Sequence, residues 1–131
     1  MDNARVVVFE DRDKEALLLQ WNLEDHGHSV VAHARTLEEA IEVIGSMSVG
    51  NLVADVVVLD ANLKRQNSNG EDAQYIWSSI RDAGIIVPII GFSAEEMGEY
   101  GVSVDFDAQK DVREVVGYIN GLPMPTDEPP R

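Results

Sequence analysis

Five polar residues follow short apolar runs along the chain, and their types suit metal or phosphoryl chemistry. Glu10 and Asp11 follow "RVVVF", Asp60 follows "VVVL", Ser93 follows "IIGF", and Lys110 lies beyond "VSVDF". Three carboxylates held together repel one another and need a counter-charge. Such oxygen ligands suit Mg²⁺, which takes few protein ligands and keeps several waters. A carboxylate can also act as a nucleophile and form an aspartyl-phosphate, whose charge a hydroxyl and an ammonium group would stabilise.

These side chains can meet only if the apolar runs are strands of one parallel sheet. Segments of helix-forming residues, with apolar positions at helical spacing, separate the runs. A helix between two strands provides a crossover connection, so we expect a parallel sheet covered on both faces. The carboxyl ends of its strands share one edge, where sites form. The predicted strands are 5–9, 29–34, 55–60, 85–93 and 102–106.

Capping residues indicate where the predicted helices begin and end. Thr36 and Glu39 have the spacing of a capping box at the start of the second helix. Asp11 or Asp13 is expected to cap the first helix, and Gly27 to end it.

Length and composition favour a single globular domain. The chain has 131 residues, of which 44% are hydrophobic, enough for one core. We expect the domain to span residues 1–121. The segment 122–131, "LPMPTDEPPR", is rich in proline and is predicted to be a disordered tail.

Charge and cysteine content limit the possible partners and compartment. The formal net charge is −14, which repels phosphate backbones, so direct nucleic-acid binding is not expected. No apolar run is long enough for membrane insertion, and the N-terminus lacks a basic stretch typical of a secretory signal. The absence of cysteine fits a cytoplasmic protein.

Three segments, in this order, resemble the receiver domain of bacterial two-component response regulators, the CheY-like family. "VVVFEDRD" is similar to the acid pair after strand one, "DVVVLDANL" to the phosphoacceptor strand, and "VPIIGFSA" to strand four with its hydroxyl residue. The resemblance covers residues 5 to about 121. It implies a flavodoxin-like three-layer αβα fold with a five-stranded parallel sheet in the order 2-1-3-4-5.

The resemblance also implies roles for the strand-end residues. Asp60 would accept a phosphoryl group from a histidine kinase or a histidine phosphotransfer protein, with Ser93 and Lys110 contacting that group. Mg²⁺ would be the cofactor, and its ligands would be Glu10, Asp11, Asp60 and the backbone carbonyl of Asn62. The chain would be a signalling domain rather than an enzyme. It would act on an unknown downstream protein and could form a homodimer.

Two loops depart from the family pattern. The loop "KRQNSN" at 64–69 is longer than usual, polar and locally basic. Only seven residues separate Ser93 from Gly101, where the family has a full helix and a turn. At about 1.5 Å per residue they form under two helical turns, so we expect the fourth helix to be shortened or missing.

The region around the lysine departs as well. Asp111 stands where the family has proline, and we expect a trans peptide because a cis bond without proline costs about 2.5–4 kcal/mol. Position 107, three residues before Lys110, is Asp where the family has a switch aromatic. If Phe106 is the switch, Gln109 falls at the lysine position, unless a bulge restores the register.

Three alternatives have different requirements. A pseudo-receiver, with this fold but without regulated phosphorylation, is the main alternative function. A phosphatase of the haloacid-dehalogenase type would need a second acid two residues after Asp60, and Asn62 cannot transfer that proton. Flavin binding would need a glycine- or hydroxyl-rich phosphate cradle, whereas "EDRD" after the first strand is acidic.

The remaining aromatic and histidine residues are interpreted as structural. Trp21 and Trp77 lie on apolar helical faces and are predicted to be part of the core. The three histidines, which no cysteine accompanies, are predicted to be structural rather than metal ligands: His26, His28 and His33.

Overall fold

The computed structural model describes residues 1–61 and 71–124 and contains one parallel β-sheet. Its strands are β1 (Arg5–Phe9), β2 (Ser29–Ala34), β3 (Val56–Leu59), β4 (Ile89–Gly91) and β5 (Phe106–Asp107). Their order in the sheet is β2-β1-β3-β4-β5, and every pairing is parallel. The predicted flavodoxin-like topology is therefore confirmed.

Helices cover both faces of this sheet. They are α1 (Asp13–Asp25), α2 (Leu37–Ser48), α3 (Glu71–Asp82) and α4 (Val112–Gly121), with a 3₁₀ turn at Met97–Tyr100. Buried residues of α2, α3 and the 3₁₀ turn form one core, and those of α1 and α4 form a second core on the opposite face. The 3₁₀ turn occupies the place of the predicted fourth helix, so the expected shortening is confirmed.

The two central strands are buried on both faces. Alternate side chains of β1 and β3 contribute to different cores, with Val7 and Val57 on one side and Val6 and Val56 on the other. Short runs of β-branched residues suit this doubly buried setting. The polar residues that follow these runs are thereby held at the carboxyl edge of a rigid sheet.

Strand β4 is shorter than the predicted segment 85–93. Pro88 has no amide proton to donate to the neighbouring strand, so the strand begins at the next residue, Ile89. The carbonyl of Pro88 still accepts a hydrogen bond from the Val57 amide at 3.0 Å. Proline therefore fixes the start of this strand.

Strand β5 begins later than predicted. The expected range was 102–106, but pairing starts only at Phe106. Gly101 ends the 3₁₀ turn in a left-handed conformation with φ 74°, and Val102 is then buried in the first core. The residues from Val102 onward are used to return from the helix layer to the sheet.

The start of α1 differs from the prediction. Its N-cap position is Arg12, and no side chain caps it, so neither Asp11 nor Asp13 has the expected role. Gly27 follows the helix in a left-handed conformation with φ 85°, as predicted.

The capping interaction of α2 is confirmed in part. The Thr36 hydroxyl accepts a hydrogen bond from the Glu39 amide at 3.2 Å. The Glu39 carboxylate reaches the amide of Arg35 at 2.8 Å rather than that of Thr36. The box is thus closed one residue earlier than the standard pattern.

The prediction that Trp21 lies in the core is wrong. Its side chain is 57% exposed, because α1 faces the sheet with Ala16, Leu19 and Leu23 instead. Trp77 is partly buried against the first core, as expected.

His28 has the predicted structural role. It is buried, and its ring accepts a hydrogen bond from the Ala4 amide at 3.0 Å and pairs with Asn120 at 2.8 Å. Within residues 1–61 and 71–124, no helix is both long and apolar enough to cross a membrane. The basic loop 64–69 and positions 125–131 of the predicted tail lie outside the described residues.

Candidate acidic site at the carboxyl edge of the sheet

Three carboxylates converge where β1 and β3 end. Oxygen atoms of Glu10, Asp11 and Asp60 all lie within 4.8 Å of one another. Glu10 is fully buried, Asp60 is 8% exposed and Asp11 is half-buried. The structure therefore brings together the acids that the strand-end pattern singled out.

The sheet itself holds Asp60 in place. Its amide continues the ladder by donating to the Phe9 carbonyl at 2.9 Å, and its Oδ1 accepts from the Ala61 amide at 2.8 Å. The carboxylate thus lies directly after a buried strand, with one oxygen already oriented.

Glu10 is fixed from both ends. Its amide donates to the Ala34 carbonyl at 3.0 Å, which extends the β1–β2 pairing by one residue. Its Oε1 accepts from the Arg12 amide at 3.3 Å and from Lys110 Nζ at 3.1 Å, and its Oε2 lies 2.8 Å from the same Nζ.

Lys110 reaches the acidic site. Its Nζ lies 2.8 Å from Glu10 Oε2, 2.7 Å from Glu15 Oε2 and 3.6 Å from Asp60 Oδ2. The ammonium group also lies 4.9 Å from the centre of the Phe92 ring, within cation–π range. The lysine is therefore the counter-charge that the carboxylates require.

Two contacts of this lysine were not predicted from the sequence. Glu15 was missed, although the first turn of α1 starts three residues after Glu10 and so returns to the same sheet edge. Phe92 was missed because it was assigned only to the strand.

A left-handed turn aims Lys110 into the site. Gln109 and Lys110 have φ values of 49° and 66°, which residues other than glycine rarely adopt. The turn starts from Ala108, whose amide donates to Gly91, and the Asp111 amide returns to the Ala108 carbonyl at 3.0 Å. All described peptide bonds are trans, as expected for a lysine that precedes Asp.

Burial sets the acidity of the two deeper carboxyl groups. Burial, followed by repulsion from Asp60, raises the pKa of Glu10 to about 9. Burial likewise raises the pKa of Asp60, although the charge of Lys110 and the Ala61 amide oppose this effect. In both groups burial disfavours the charged form of the carboxyl.

In the two groups nearer the surface, Lys110 and Glu15, the charged form is favoured. Burial acts to lower the pKa of Lys110, but the carboxylates around it raise the value overall, with Asp60 having the largest effect. Burial acts to raise the pKa of Glu15, but its hydrogen bonds to Lys110 and Glu10, together with the nearby positive charges, lower the value overall.

Ser93 lies at the same edge of the sheet. The amide of Phe92 donates a hydrogen bond to the Leu59 carbonyl at 2.9 Å. Ser93 comes directly after Phe92 and Asp60 directly after Leu59, so both residues lie just beyond this hydrogen bond. Ser93 is 7% exposed. Asn62, the fourth predicted metal ligand, lies outside the described residues.

An acid occupies the position of the expected switch aromatic. Asp107 Oδ1 accepts a hydrogen bond from the Met97 amide at 3.0 Å and so holds the start of the 3₁₀ turn. Phe106 faces the second core, where its ring stacks on Tyr118 with 4.7 Å between centroids. Phe106 therefore lies on the opposite face of the sheet from the 3₁₀ turn, whose Met97 belongs to the first core.

The donor set fits a divalent cation. Three carboxylate oxygens within 4.8 Å of one another are hard ligands of the type that Mg²⁺ prefers. A bound cation would also favour the charged forms of Glu10 and Asp60, which burial disfavours.

The fold is that of known receiver domains. No protein-family model matches the sequence, and no curated protein is similar to it. Among solved structures, the receiver domain of the Francisella response regulator 1452 is 19% identical with a TM-score of 0.66, over 90% of this chain and 94% of that one.

Two further structures have the same architecture. The signal receiver domain of the putative response regulator NarL from Mycobacterium tuberculosis is 18% identical with a TM-score of 0.69, over 92% of this chain and 95% of that one. The receiver domain of the histidine kinase CKI1 from Arabidopsis thaliana, complexed with Mg²⁺, is 18% identical with a TM-score of 0.67, over 92% of both chains.

The structural neighbours are thus response regulator receiver domains, and this chain has their flavodoxin-like fold over about nine-tenths of its length. Between β4 and β5 this chain has a 3₁₀ turn, and Asp107 is the last residue of β5.

Proposed function

We propose that this chain is a two-component receiver that accepts a phosphoryl group on Asp60 in the presence of Mg²⁺ and signals through protein contacts. The observation that carries the proposal is the joint placement of Glu10, Asp11, Asp60 and Lys110 at one sheet edge. Each of these groups has a separate task in phosphoryl transfer.

Asp60 is the nucleophile. One of its carboxylate oxygens forms a bond to phosphorus while the P–N bond of a phosphohistidine breaks, and the histidine nitrogen keeps the bonding electrons. The donor is a histidine kinase or a histidine phosphotransfer protein. The carboxylate is suited to this attack because one oxygen is held by the Ala61 amide, which leaves the other for the phosphoryl group.

The other groups balance charge during the transfer. Mg²⁺, when bound, would neutralise both the carboxylates and the incoming phosphoryl oxygens. Glu10, Asp11 and Asp60 would hold it, together with the backbone carbonyl of Asn62. Lys110 and the Ser93 hydroxyl would contact the phosphoryl oxygens from the β4–β5 side.

Lys110 connects the site to the rest of the molecule. Its Nζ is 3.6 Å from Asp60 but closer to Glu10 and Glu15, so new negative charge on Asp60 would draw it away from those two carboxylates. Lys110 lies three residues after Asp107, which holds the 3₁₀ turn. A movement of the lysine would therefore alter the surface around β5 and that turn, where a downstream protein would bind.

The proposal includes the cellular setting. As the substrate of a histidine kinase, the chain would act in the cytoplasm. Its net charge of −14 is consistent with a protein partner rather than DNA. The only chemistry proposed is transfer to Asp60 and later hydrolysis of that bond.

A pseudo-receiver is the second candidate. The observation that favours it is the tight engagement of Lys110 by Glu10 and Glu15, at 2.8 and 2.7 Å, which could fix the site in one state. The absence of an aromatic at position 107 points the same way.

The two candidates predict different responses to a phosphoryl mimic. Thermal unfolding is measured with Mg²⁺ alone and with Mg²⁺ plus beryllium fluoride, which occupies the place of an aspartyl-phosphate. A receiver is stabilised further by the mimic, and Asp60→Ala removes this increment. A protein that responds to Mg²⁺ but not to the mimic would be a pseudo-receiver.

A further inference from the structure

The outward face of α1 has an unusual stripe. Lys14, Leu18, Trp21 and Asp25 are spaced four, three and four residues apart. At about 100° per residue, these four positions fall within an arc of about 60°. This arc lies opposite the residues that α1 buries, which are Ala16, Leu19 and Leu23. The four residues are called the α1 stripe below.

The centre of the α1 stripe is apolar and open to solvent. Leu18 is 48% exposed and Trp21 is 57% exposed, and the adjacent Leu17 is 44% exposed. The outward face of a surface helix is normally polar. Large apolar side chains that are contiguous on a surface mark an interaction site.

The two ends of the α1 stripe have opposite charges, and each charge is at the end of the helix where the helix dipole disfavours it. Lys14 lies in the first turn of α1, where the helix dipole favours acids, and Asp25 lies in the last turn, where it favours bases. Both are exposed, and neither forms an ion pair within the part of the chain that the structure describes. Each would be better placed beside a charge of the opposite sign.

We propose that a second copy of this chain covers the α1 stripe, with the two α1 helices packed antiparallel. Positions 18 and 21, and also 14 and 25, are symmetric about the point between residues 19 and 20. A two-fold axis through that point therefore places Leu18 against Trp21 of the second copy and Lys14 against Asp25 of the second copy. The stripe is self-complementary in both polarity and charge.

The charge order is the reason for choosing a second copy over another protein. An unrelated partner would need only the apolar centre, whereas the ends form two equivalent ion pairs in the symmetric pair of helices. Each ion pair also corrects the unfavourable position of both charges relative to the helix dipoles. The net charge of −14 on each copy opposes association, so the dimer forms only at higher protein concentration.

Sedimentation equilibrium of the full chain across a range of concentrations tests the proposal. We expect a monomer–dimer equilibrium for the natural chain and a monomer at every concentration for Leu18→Gln with Trp21→Gln. Ile86→Gln, which changes a side chain that is 91% exposed elsewhere, should leave the dissociation constant unchanged. Circular dichroism of each variant checks that the fold is kept.

Charge exchange makes the test specific to the antiparallel geometry. Lys14→Glu alone and Asp25→Lys alone should each weaken the dimer several-fold, and the two together should restore it because the ion pairs re-form with reversed polarity. A natural chain that stays monomeric overturns the proposal. A dimer insensitive to the stripe variants, a failure of the exchange to restore it, or a monomer whose α1 stripe binds a different protein would overturn it as well.

Discussion

Lys110 Nζ lies 2.8 Å from Glu10 Oε2, although the two residues are 100 positions apart in the chain. The ammonium group supplies the positive charge for a cluster of carboxylates that burial would otherwise make costly. The same ammonium lies 3.6 Å from Asp60, so one side chain connects Glu10 with the proposed phosphoacceptor.

Mg²⁺ should stabilise the protein through the three strand-end acids. A ligand that binds only the folded state adds about 2.7 kcal/mol to the unfolding free energy at 100 times its dissociation constant. We expect Mg²⁺ to raise the melting temperature of the natural chain and to have little effect on Asp11→Asn.

The control for the Mg²⁺ experiment is Asp82→Asn, which removes an exposed acid at the C-terminal end of α3. This variant has the same change in net charge and should respond to Mg²⁺ like the natural chain. An equal loss of response in both variants would mean that Mg²⁺ acts through overall charge rather than through this site.

Removal of the Lys110 charge should lower the stability of the Mg²⁺-free protein and enlarge the increment gained from Mg²⁺. Lys110→Met leaves Glu10 and Asp60 without their counter-charge, so we expect the Mg²⁺-free protein to lose about 2 kcal/mol of unfolding free energy. The increment gained from Mg²⁺ should become larger, since the cation then replaces the missing ammonium. Chemical denaturation with and without Mg²⁺ measures both quantities.

The matched variant for Lys110→Met is Lys14→Met, because Lys14 is exposed on α1 and lies outside the acidic site. At protein concentrations where the chain is monomeric, it should leave the Mg²⁺ increment unchanged and should not lower the stability, since a positive charge in the first turn of α1 is itself unfavourable. If Lys110→Met behaved in the same way, the lysine would not be the counter-charge of the acids.

The ion pair between Arg5 and Asp55 gives a pH dependence with a defined sign. Arg5 donates to Asp55 from its amide at 2.8 Å and from its guanidinium at 3.0 Å, and these bonds lower the pKa of Asp55. The folded state therefore binds fewer protons than the unfolded chain. The stabilisation is present above the ordinary pKa of the group and is lost as the pH falls through the lower value of the folded state.

The corresponding variant is Asp55→Asn. Because Arg5 is 45% exposed, we expect a cost of only about 1 kcal/mol at neutral pH. The difference in unfolding free energy between the two proteins should disappear in strong acid. A difference that grew as the pH fell would contradict the assignment.

Gly91 is required by the close approach of β4 to the 3₁₀ turn. A methyl group at this position would lie 2.5 Å from Asp107 Oδ1 and would also collide with the Met97 side chain. We expect Gly91→Ala to cost about 1–3 kcal/mol and to increase hydrogen exchange at the Met97 amide, which Asp107 holds. Gly45→Ala, where a methyl group meets nothing within 4 Å, is the control.

Strand-end residues were predictable from the sequence because two simple rules act together. Runs of β-branched residues form buried strands, and parallel strands end at one edge, which places Glu10 and Asp60 side by side. Lys110 was expected in the site, but the turn that brings it there was not predictable, because neither Gln109 nor Lys110 is a glycine that would indicate a left-handed conformation.

The exposure of Trp21 could not be predicted from the sequence for a different reason. α1 has apolar residues on two sides, so the sequence pattern alone does not decide which side faces the sheet. Packing against β2 and α4 selects Leu19 and Leu23 and leaves Trp21 in solvent.

The central claim is that Asp60 accepts a phosphoryl group, and the mass of the intact protein tests it most directly. The chain is incubated with acetyl phosphate, with and without Mg²⁺, next to Asp60→Ala and next to Asp82→Asn as a control. The account predicts an adduct of one phosphoryl group that requires Mg²⁺, is present in the control and is absent from Asp60→Ala. An adduct that persists in Asp60→Ala, or none in the natural chain with either acetyl phosphate or a phosphorylated histidine kinase, would contradict it.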